Sequence, residues 1–134
     1  MLISTRGRYA LRLLTDMAQH PEEEYIKLKD IAARQDISEK YLESIVKLLV
    51  KAGVLTGARG KGGGYRFAKD PASITAWEVL SHTEGSLAAV SCQKDGAAPC
   101  LRKADCPSTP LWIGLDQLIF EYLSRYSIKD LSLG

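Results

Sequence analysis

Apolar residues recur every three or four positions near the start of the chain and predict a first helix over about residues 5–19. Ser4 or Thr5 is available as its N-cap. A second apolar pattern predicts a short helix, and a third predicts a helix that follows Ser38 as its N-cap and stops at Gly53. The second and third helices are separated by only about three residues, which is the helix-turn-helix pattern.

The residues after Gly53 make this pattern more specific. Residues 54–56 and 65–67 have the composition of short strands, and the glycine-rich run 57–64 between them is typical of a hairpin tip. A helix-turn-helix followed by a hairpin is a winged helix. We therefore predict a mainly α fold with a small β-hairpin, in which residues 1–81 form a winged helix-turn-helix DNA-binding domain.

The glycine-rich run has two other interpretations. A phosphate-binding nucleotide loop requires a Lys-Ser or Lys-Thr pair between a strand and a helix, and this run lacks the pair. A flexible, solvated turn is the second alternative. The cations in the run and the preceding helix pair favour a wing that approaches phosphates.

The C-terminal part, residues 82–134, is expected to hold a cysteine loop and a long dimerisation helix. Before it, Thr75 and Glu78 have the spacing of a capping box, and Thr109 is expected to be the N-cap of the long helix. That helix carries a long apolar stripe, which favours packing against a second copy, with packing inside one chain as the alternative. The predicted dimerisation residues are Leu111, Leu115, Leu118, Ile119, Tyr122 and Leu123.

Composition and charge narrow the function. The 134 residues are 46% hydrophobic and 25% charged, as in a globular domain. No apolar run approaches the roughly 20 residues needed to span a bilayer, and the N-terminus does not resemble a signal peptide, so we expect a cytoplasmic protein. The net charge of +2 is unevenly distributed. Residues 1–69 carry 13 basic and 8 acidic side chains, whereas residues 70–134 carry 5 and 8, which indicates that the first half meets a polyanion.

Double-stranded DNA is the polyanion that this fold predicts. The second helix of a helix-turn-helix enters the major groove, where Glu43 can accept a hydrogen bond from cytosine N4. A solvated helix face is the alternative for Glu43. Arg59 on the wing suits a narrow minor groove. The candidate DNA-binding residues are Arg6, Arg8, Ser38, Lys40, Glu43, Ser44, Lys47, Arg59, Lys61 and Arg66.

All three cysteines, Cys92, Cys100 and Cys106, lie in one segment without helical periodicity. An odd number of cysteines without a secretory signal argues against a disulfide framework. The segment lacks the paired C-x2–4-C spacing of zinc sites, and three widely spaced thiolates suit an iron–sulfur cluster better than a single tetrahedral ion. A thiol switch and three ordinary reduced cysteines are the competing interpretations.

Several stretches together resemble the IscR-like bacterial winged-helix regulators, the Rrf-two superfamily, over nearly the whole chain. The resemblance implies a homodimer that binds a palindrome-like promoter site and a cysteine-ligated iron–sulfur cluster that reports on cluster supply or redox state. A [2Fe-2S] cluster is favoured over a [4Fe-4S] cluster. The stretches that carry the resemblance are residues 7–10, 31–38, 41–43, 59–65, 77–79 and 111–112.

The chain departs from the ligand sets of that family. The most similar members use a histidine three residues after the third cysteine, where Thr109 stands here, and Cys92 and Cys100 are further apart than usual. The branch that senses nitric oxide uses an aspartate where this chain has Arg8. The branch that governs cysteine metabolism lacks the three thiols, so their presence favours the cluster-binding branch. Candidates for the open fourth position are His82, Asp95 and Asp105.

The sequence thus predicts a dimeric DNA-binding regulator whose promoter binding is modulated by an iron–sulfur cluster. A cluster-free thiol-redox regulator and an iron–sulfur carrier with a winged-helix interaction domain are the alternatives. Neither His20 nor His82 has a nucleophile arrangement near it in sequence, and the carboxylates are dispersed. We do not expect an enzyme.

Overall fold

The computed structural model describes residues 2–93, 102 and 105–134. Within them, helices α1 to α3 precede a two-stranded antiparallel hairpin, and helices α4 to α6 follow it. Short 3-10 turns lie at Pro71–Ser73 and Ser91–Gln93. The elements are α1 (Thr5–Ala18), α2 (Leu28–Gln35), α3 (Glu39–Lys51), β1 (Leu55–Ala58), β2 (Gly64–Phe67), α4 (Ala76–Glu84), α5 (Thr109–Ser124) and α6 (Ile128–Ser132).

The predicted mainly α fold with a wing is confirmed, and local chemistry explains its helix boundaries. The Ser4 hydroxyl accepts a hydrogen bond from the Gly7 N–H at 3.1 Å, and the Ser38 hydroxyl accepts one from the Tyr41 N–H at 3.2 Å, so each caps its helix as the sequence indicates. Helix α2 ends at Gln35 and is capped by Asp36, whose backbone is left-handed with φ 53°. This conformation turns the chain sharply into α3.

The core lies where α1, α2 and α3 meet under the hairpin and α4. Helices α1 and α3 place an apolar face inward at spacings of three and four residues, and each fully buried leucine or isoleucine contributes about 2 kcal/mol. The largest fully buried side chains are Leu13, Leu14, Met17, Ile31, Leu42, Ile45, Val46, Leu49, Val54, Leu55, Ile74 and Ile128.

The hairpin is fixed to the residues before α2 by an isolated β-bridge. Ile26 and Tyr65 exchange two backbone hydrogen bonds at 2.8 and 2.9 Å. This pairing brings the Ile26 carbonyl against Gly64, where an added Cβ would lie 2.5 Å from the carbonyl oxygen and the backbone φ is 149°. Only glycine meets both conditions, so the base of the wing is closed tightly against residue 26.

Helix α6 was not anticipated from the sequence, and it returns the chain to the core. Ile128 is fully buried, its N–H donates to the Ile74 carbonyl at 2.8 Å, and the Ala76 N–H donates to the Tyr126 carbonyl at 2.8 Å. A capping box of Ser127 and Asp130 starts the helix. The C-terminal end of α5 is therefore joined rigidly to the start of α4.

Two expected caps differ from the structure. The Thr75 hydroxyl accepts the Glu78 N–H at 3.1 Å, but the Glu78 carboxylate pairs with the Lys69 ammonium at 2.5 Å and does not complete a capping box. The long helix begins at Thr109, so Ser108 and not Thr109 is its N-cap residue. Pro110 keeps its place in the first turn, where a missing N–H costs nothing.

The expected domain boundary at residue 81 falls inside α4.

Candidate DNA-binding surface and cysteine segment

The N-terminal half of α3 forms an exposed polar face. Its apolar residues Leu42, Ile45 and Val46 point into the core, which leaves the opposite side of the helix to solvent. None of the ion pairs within residues 2–93 and 105–134 involves Glu43, so its carboxylate is available to an external donor. The exposed candidates on this helix and its cap are Ser38, Lys40, Glu43, Ser44 and Lys47.

The start of α1 lies beside the start of α3. The ring of Tyr9 meets that of Tyr41 edge to face, with 5.7 Å between centroids, and this contact aligns the two helices. Arg8 lies at the same end of α1 as Tyr9 and donates to the Thr5 hydroxyl at 3.2 Å. The candidate cations Arg6 and Arg8 are exposed in the first turn of α1, at the end of the helix that lies beside the start of α3.

The wing forms the other border of this surface. A groove of about 320 Å³ separates α3 from the hairpin, with Lys47 on one wall and Arg59 on the other. Lys61 is exposed at the tip. Arg66 is placed differently, because its guanidinium lies over the Tyr25 ring at 5.0 Å and lines a separate cavity with Glu23 and Glu24. The structure therefore brings Lys47 and Arg59 together and directs Arg66 toward an acidic turn.

A buried ionic network holds α2 against α1 directly before the turn into α3. The Asp16 carboxylate is 2% exposed, and it accepts from Arg34 Nη2 at 2.7 Å and from Gln35 Nε2 at 2.9 Å. Hydrogen bonding to Asp16 raises the pKa of the Arg34 guanidinium above its ordinary value. Arg12 completes the network by donating to both the side chain and the backbone carbonyl of Gln35.

Sequence reasoning missed this network. The signal was an aspartate at position 16, on the otherwise apolar face of an amphipathic helix. Because Gln35 is the last residue of α2, the network anchors the chain directly before the turn into α3.

The outer cysteines lie on either side of the segment that leads into α5. Cys92 is exposed within the turn Ser91–Gln93, and Cys106 is half-buried before α5. Cys106 Sγ lies 3.1 Å from Ser108 Oγ. This hydroxyl, with a smaller contribution from Thr109, lowers the pKa of the Cys106 thiol from its ordinary value, and nearby helical N–H groups also favour a thiolate.

The rest of the proposed ligand set is not brought together by the described residues. Cys100 and Asp95 lie outside them, while His82 and Asp105 are exposed. Among residues 2–93, 102 and 105–134, no three His, Cys, Asp or Glu side chains form a group that could hold a metal ion.

Helix α5 is apolar on nearly every side but contributes no fully buried residue. Phe120 meets the Trp77 ring of α4 edge to face at 5.0 Å, while Ile119 and Leu123 are half-buried. A helix of this composition is usually covered on all sides, so its exposed face is a large unpartnered surface. The predicted dimerisation residues that are exposed along this face are Leu111, Leu115, Leu118 and Tyr122.

Comparison with known proteins supports this interpretation of the fold. The profile of the family described as "Rrf2: Iron-dependent Transcriptional regulator" matches residues 3–133. The protein Rrf2 of Nitratidesulfovibrio vulgaris is 36% identical, over 98% of this chain and 87% of the relative. The regulator IscR of Vibrio campbellii is 35% identical, over 98% and 77%.

Solved structures of the same kind superpose over the whole chain. CymR, the global cysteine regulator of Bacillus subtilis, aligns with a TM-score of 0.79 and 32% identity, over 98% of this chain and 96% of CymR. IscR of T. potens aligns with a TM-score of 0.73 and 32% identity, over 98% and 85%. Both a cysteine regulator and an IscR are thus similar to this chain at the level of fold.

An exposed recognition helix beside a cationic wing defines the winged helix-turn-helix class of DNA-binding proteins. Within that class the chain belongs to the Rrf2 family, and it is a transcriptional regulator and not an enzyme. None of the helices in the described part of the chain is long and apolar enough to cross a membrane.

Proposed function

We propose that this regulator is a homodimer that binds palindrome-like promoter DNA, with an affinity set by an iron–sulfur cluster on Cys92, Cys100 and Cys106. The observation that carries the DNA part is the groove between Lys47 on α3 and Arg59 on the wing. It opens beside the exposed face of α3, so a duplex whose major groove receives α3 presents phosphates to both cations.

The surface divides into residues that position the duplex and residues that discriminate bases. Glu43 accepts from cytosine N4, because it is exposed and without an ion pair in the described ranges. Arg59 contacts phosphates at the edge of the minor groove, where a narrow groove favours its guanidinium. Arg66, held over Tyr25, contributes charge rather than a direct contact. The other residues that meet phosphates are Arg6, Arg8, Lys40, Lys47 and Lys61, with Ser38 and Ser44 as hydroxyl partners.

Dimerisation follows from the exposed face of α5. Leu111, Leu115, Leu118 and Tyr122 recur every three or four residues, and Leu111 and Leu118 are each 63% exposed. Monomeric proteins rarely expose such a continuous apolar face. A second copy that packs the same face against this one buries both faces. The dimer then places two reading heads, each formed by the exposed face of α3 and the wing of one copy, along one DNA duplex.

The thiols fit a thiolate-bound cluster by their chemistry. Cys106 has a lowered pKa, and the thiolate is the form that ligates iron. Cys92, Cys100 and Cys106 would hold the cluster, which supplies a charge and a ligation state that change with iron and redox conditions. The cysteine segment connects α4 to α5. The residues after α5 return to the start of α4, where the Ala76 N–H donates to the Tyr126 carbonyl and the Ile128 N–H donates to the Ile74 carbonyl. The segment is therefore linked to α4 from both of its ends.

A second candidate is a cluster-free regulator that responds through its thiols. The lowered pKa of Cys106 favours this function too, because a thiolate is the form that oxidants attack. Anaerobic purification followed by analysis of iron, acid-labile sulfide and the visible spectrum distinguishes the two: bound iron and sulfide support the cluster, and a colourless protein with three reactive thiols supports the thiol regulator.

Removing the charge of Arg59 is expected to weaken binding to promoter DNA and to random DNA by similar factors, about 5- to 10-fold at moderate salt. One fewer phosphate contact should lower the slope of log affinity against log salt by about 1. The measurement is a salt titration of Arg59→Ala by fluorescence anisotropy. Lys129→Ala, which removes an exposed cation from α6, is the control. Equal salt slopes for Arg59→Ala and the unmodified protein would contradict the role of the wing.

Replacing Cys92, Cys100 and Cys106 together with alanine is expected to abolish cluster absorption and to make promoter affinity independent of iron–sulfur loading. The measurement compares anaerobically loaded and apo protein by spectroscopy and by DNA binding, with Ser91→Ala as a control in the same turn. If the triple variant retains its colour, the ligand assignment is wrong. If loading changes affinity equally in the variant and the unmodified protein, the coupling is wrong.

A further inference from the structure

Among the described residues, the segment that carries Cys92 is tied to α5 by the side chain of Asp116. Asp116 Oδ1 accepts the Ala89 N–H at 2.8 Å, and both groups are partly buried. The next turn of backbone, in which the Gln93 N–H donates to the Val90 carbonyl at 3.1 Å, contains Cys92. The position of the Cys92 backbone therefore depends on a carboxylate two turns into α5.

The residues before Ala89 do not replace this tie. Leu87 is buried and the Ser86 hydroxyl accepts the Ala88 N–H at 3.2 Å, so residues 86–88 are fixed locally. Residues 91–92 are exposed. Asp116 thus holds the segment at Ala89, between the residues packed near the end of α4 and the exposed turn that contains Cys92.

The third cysteine is tied to the same helix by a different contact. Cys106 Sγ lies 3.1 Å from the hydroxyl of Ser108, the N-cap residue of α5. Asp116 lies seven residues after Thr109, at which α5 begins, and seven residues are two turns of helix, or about 10 Å. Helix α5 therefore contacts the chain at or near both outer cysteines: its N-cap residue Ser108 meets Cys106, and Asp116, two turns along, holds Ala89, three residues before Cys92.

We propose that Asp116 is a positioning residue for the ligand set, which holds the Cys92 segment on α5, the helix whose N-cap residue Ser108 contacts Cys106. The inference rests on the proposed thiolate site. Groups hydrogen-bonded directly to metal ligands commonly change metal affinity 10- to 100-fold when they are removed. Asp116 acts through the backbone at Ala89, so we expect an effect at the lower end of that range. The backbone N–H of Ala89 can be held equally by a neutral amide oxygen, so asparagine should replace Asp116 and alanine should not.

The test uses Co²⁺ as a spectroscopic probe of thiolate ligation in the full-length apo protein, with iron–sulfur loading measured in parallel. Asp116→Ala is expected to weaken Co²⁺ binding about 10-fold or more and to destabilise the loaded cluster to chelation. Asp116→Asn is expected to stay within about threefold of the unmodified protein. Glu121→Ala removes the same charge from the exposed surface of the same helix and is expected to change neither.

The outcomes separate this inference from the proposed function. If the unmodified protein binds Co²⁺ and Asp116→Ala binds it equally well, the positioning role is wrong and the thiolate site stands. If Asp116→Asn loses as much as Asp116→Ala, charge and not the hydrogen bond is responsible, and the proposal is overturned. If the unmodified protein binds neither Co²⁺ nor a cluster, the thiolate site itself fails. Thermal unfolding of each variant shows whether a loss of binding is a loss of fold.

Discussion

Replacing Asp16 with alanine is expected to lower the free energy of unfolding by about 2–3 kcal/mol. The substitution leaves Arg34 and the Gln35 amide without their shared acceptor, which is 2% exposed. Removing one partner of a fully buried ion pair costs about 3–5 kcal/mol. We expect less here because the Arg34 side chain is 32% exposed and can turn toward water. The measurement is urea denaturation, with an expected fall in the thermal midpoint of roughly 10 °C.

The same substitution should also weaken DNA binding beyond its effect on stability. Gln35 is the last residue of α2, and its carbonyl and side chain are held by Arg12, so a loosened Gln35 lets the turn into α3 move. Asp16→Asn, which keeps the shape and one acceptor, should cost less than alanine in both measurements. Glu22→Ala, which removes an exposed acid, should stay within about 0.5 kcal/mol. Equal stability of Asp16→Ala and Glu22→Ala would contradict the role of the network.

Much of the fold was predictable because its signals are local. The caps at Ser4 and Ser38 need only a hydroxyl that accepts a hydrogen bond from the backbone N–H three residues later. The spacing of apolar residues in α1 and α3 determines which face of each helix is buried. The wing was recognisable since glycines separate two short strand-like segments. Helix α6 was not predictable, because five residues carry too little periodicity and Ile128 acquires its role only by pairing with Ile74.

The candidate site was predictable in residue type but not in arrangement. The sequence indicates that Lys47, Arg59 and Arg66 are cations of one reading head, yet Arg66 lies over Tyr25 while the other two share a groove. That difference depends on the pairing of Tyr65 with Ile26, which places β2 beside Tyr25. Asp116 gave no signal at all, since its partner is a backbone N–H that any residue except proline would supply at position 89.

The proposed coupling of the cysteine segment to DNA binding depends on tertiary contacts that the sequence does not show. Helix α5 is joined at its C-terminal end to Ile74 and Ala76, and its middle holds Ala89 through Asp116. A change at the cysteines therefore acts on a helix that is fixed to α4, and α4 packs on α1 beside the reading head. In the proposed dimer, this arrangement favours a motion in which the winged helix of each copy moves together with its α5 as one rigid body. A bend within the winged helix itself is less favoured.

Introducing glutamate at Leu118 is expected to dissociate the dimer and to lower affinity for a two-half-site promoter on the order of 100-fold or more. Leu118 is 63% exposed and lies at the middle of the face formed by Leu111, Leu115 and Tyr122. In the proposed dimer, two symmetry-related charges would be buried against each other without partners. Each head would then bind its half-site alone, without the effective concentration that linkage provides. Sedimentation equilibrium measures the association, and anisotropy measures binding to full and half sites.

The matched control for Leu118→Glu is Ile113→Glu, which adds the same charge to the same helix. Ile113 is 55% exposed, but its position in the helical repeat places it on the side opposite Leu118. We expect Ile113→Glu to remain dimeric and to bind the full site nearly as tightly as the unmodified protein, and we expect both variants to bind a half-site equally. A dimer that survives Leu118→Glu, or one that Ile113→Glu disrupts instead, would show that a different surface of α5 joins the two copies.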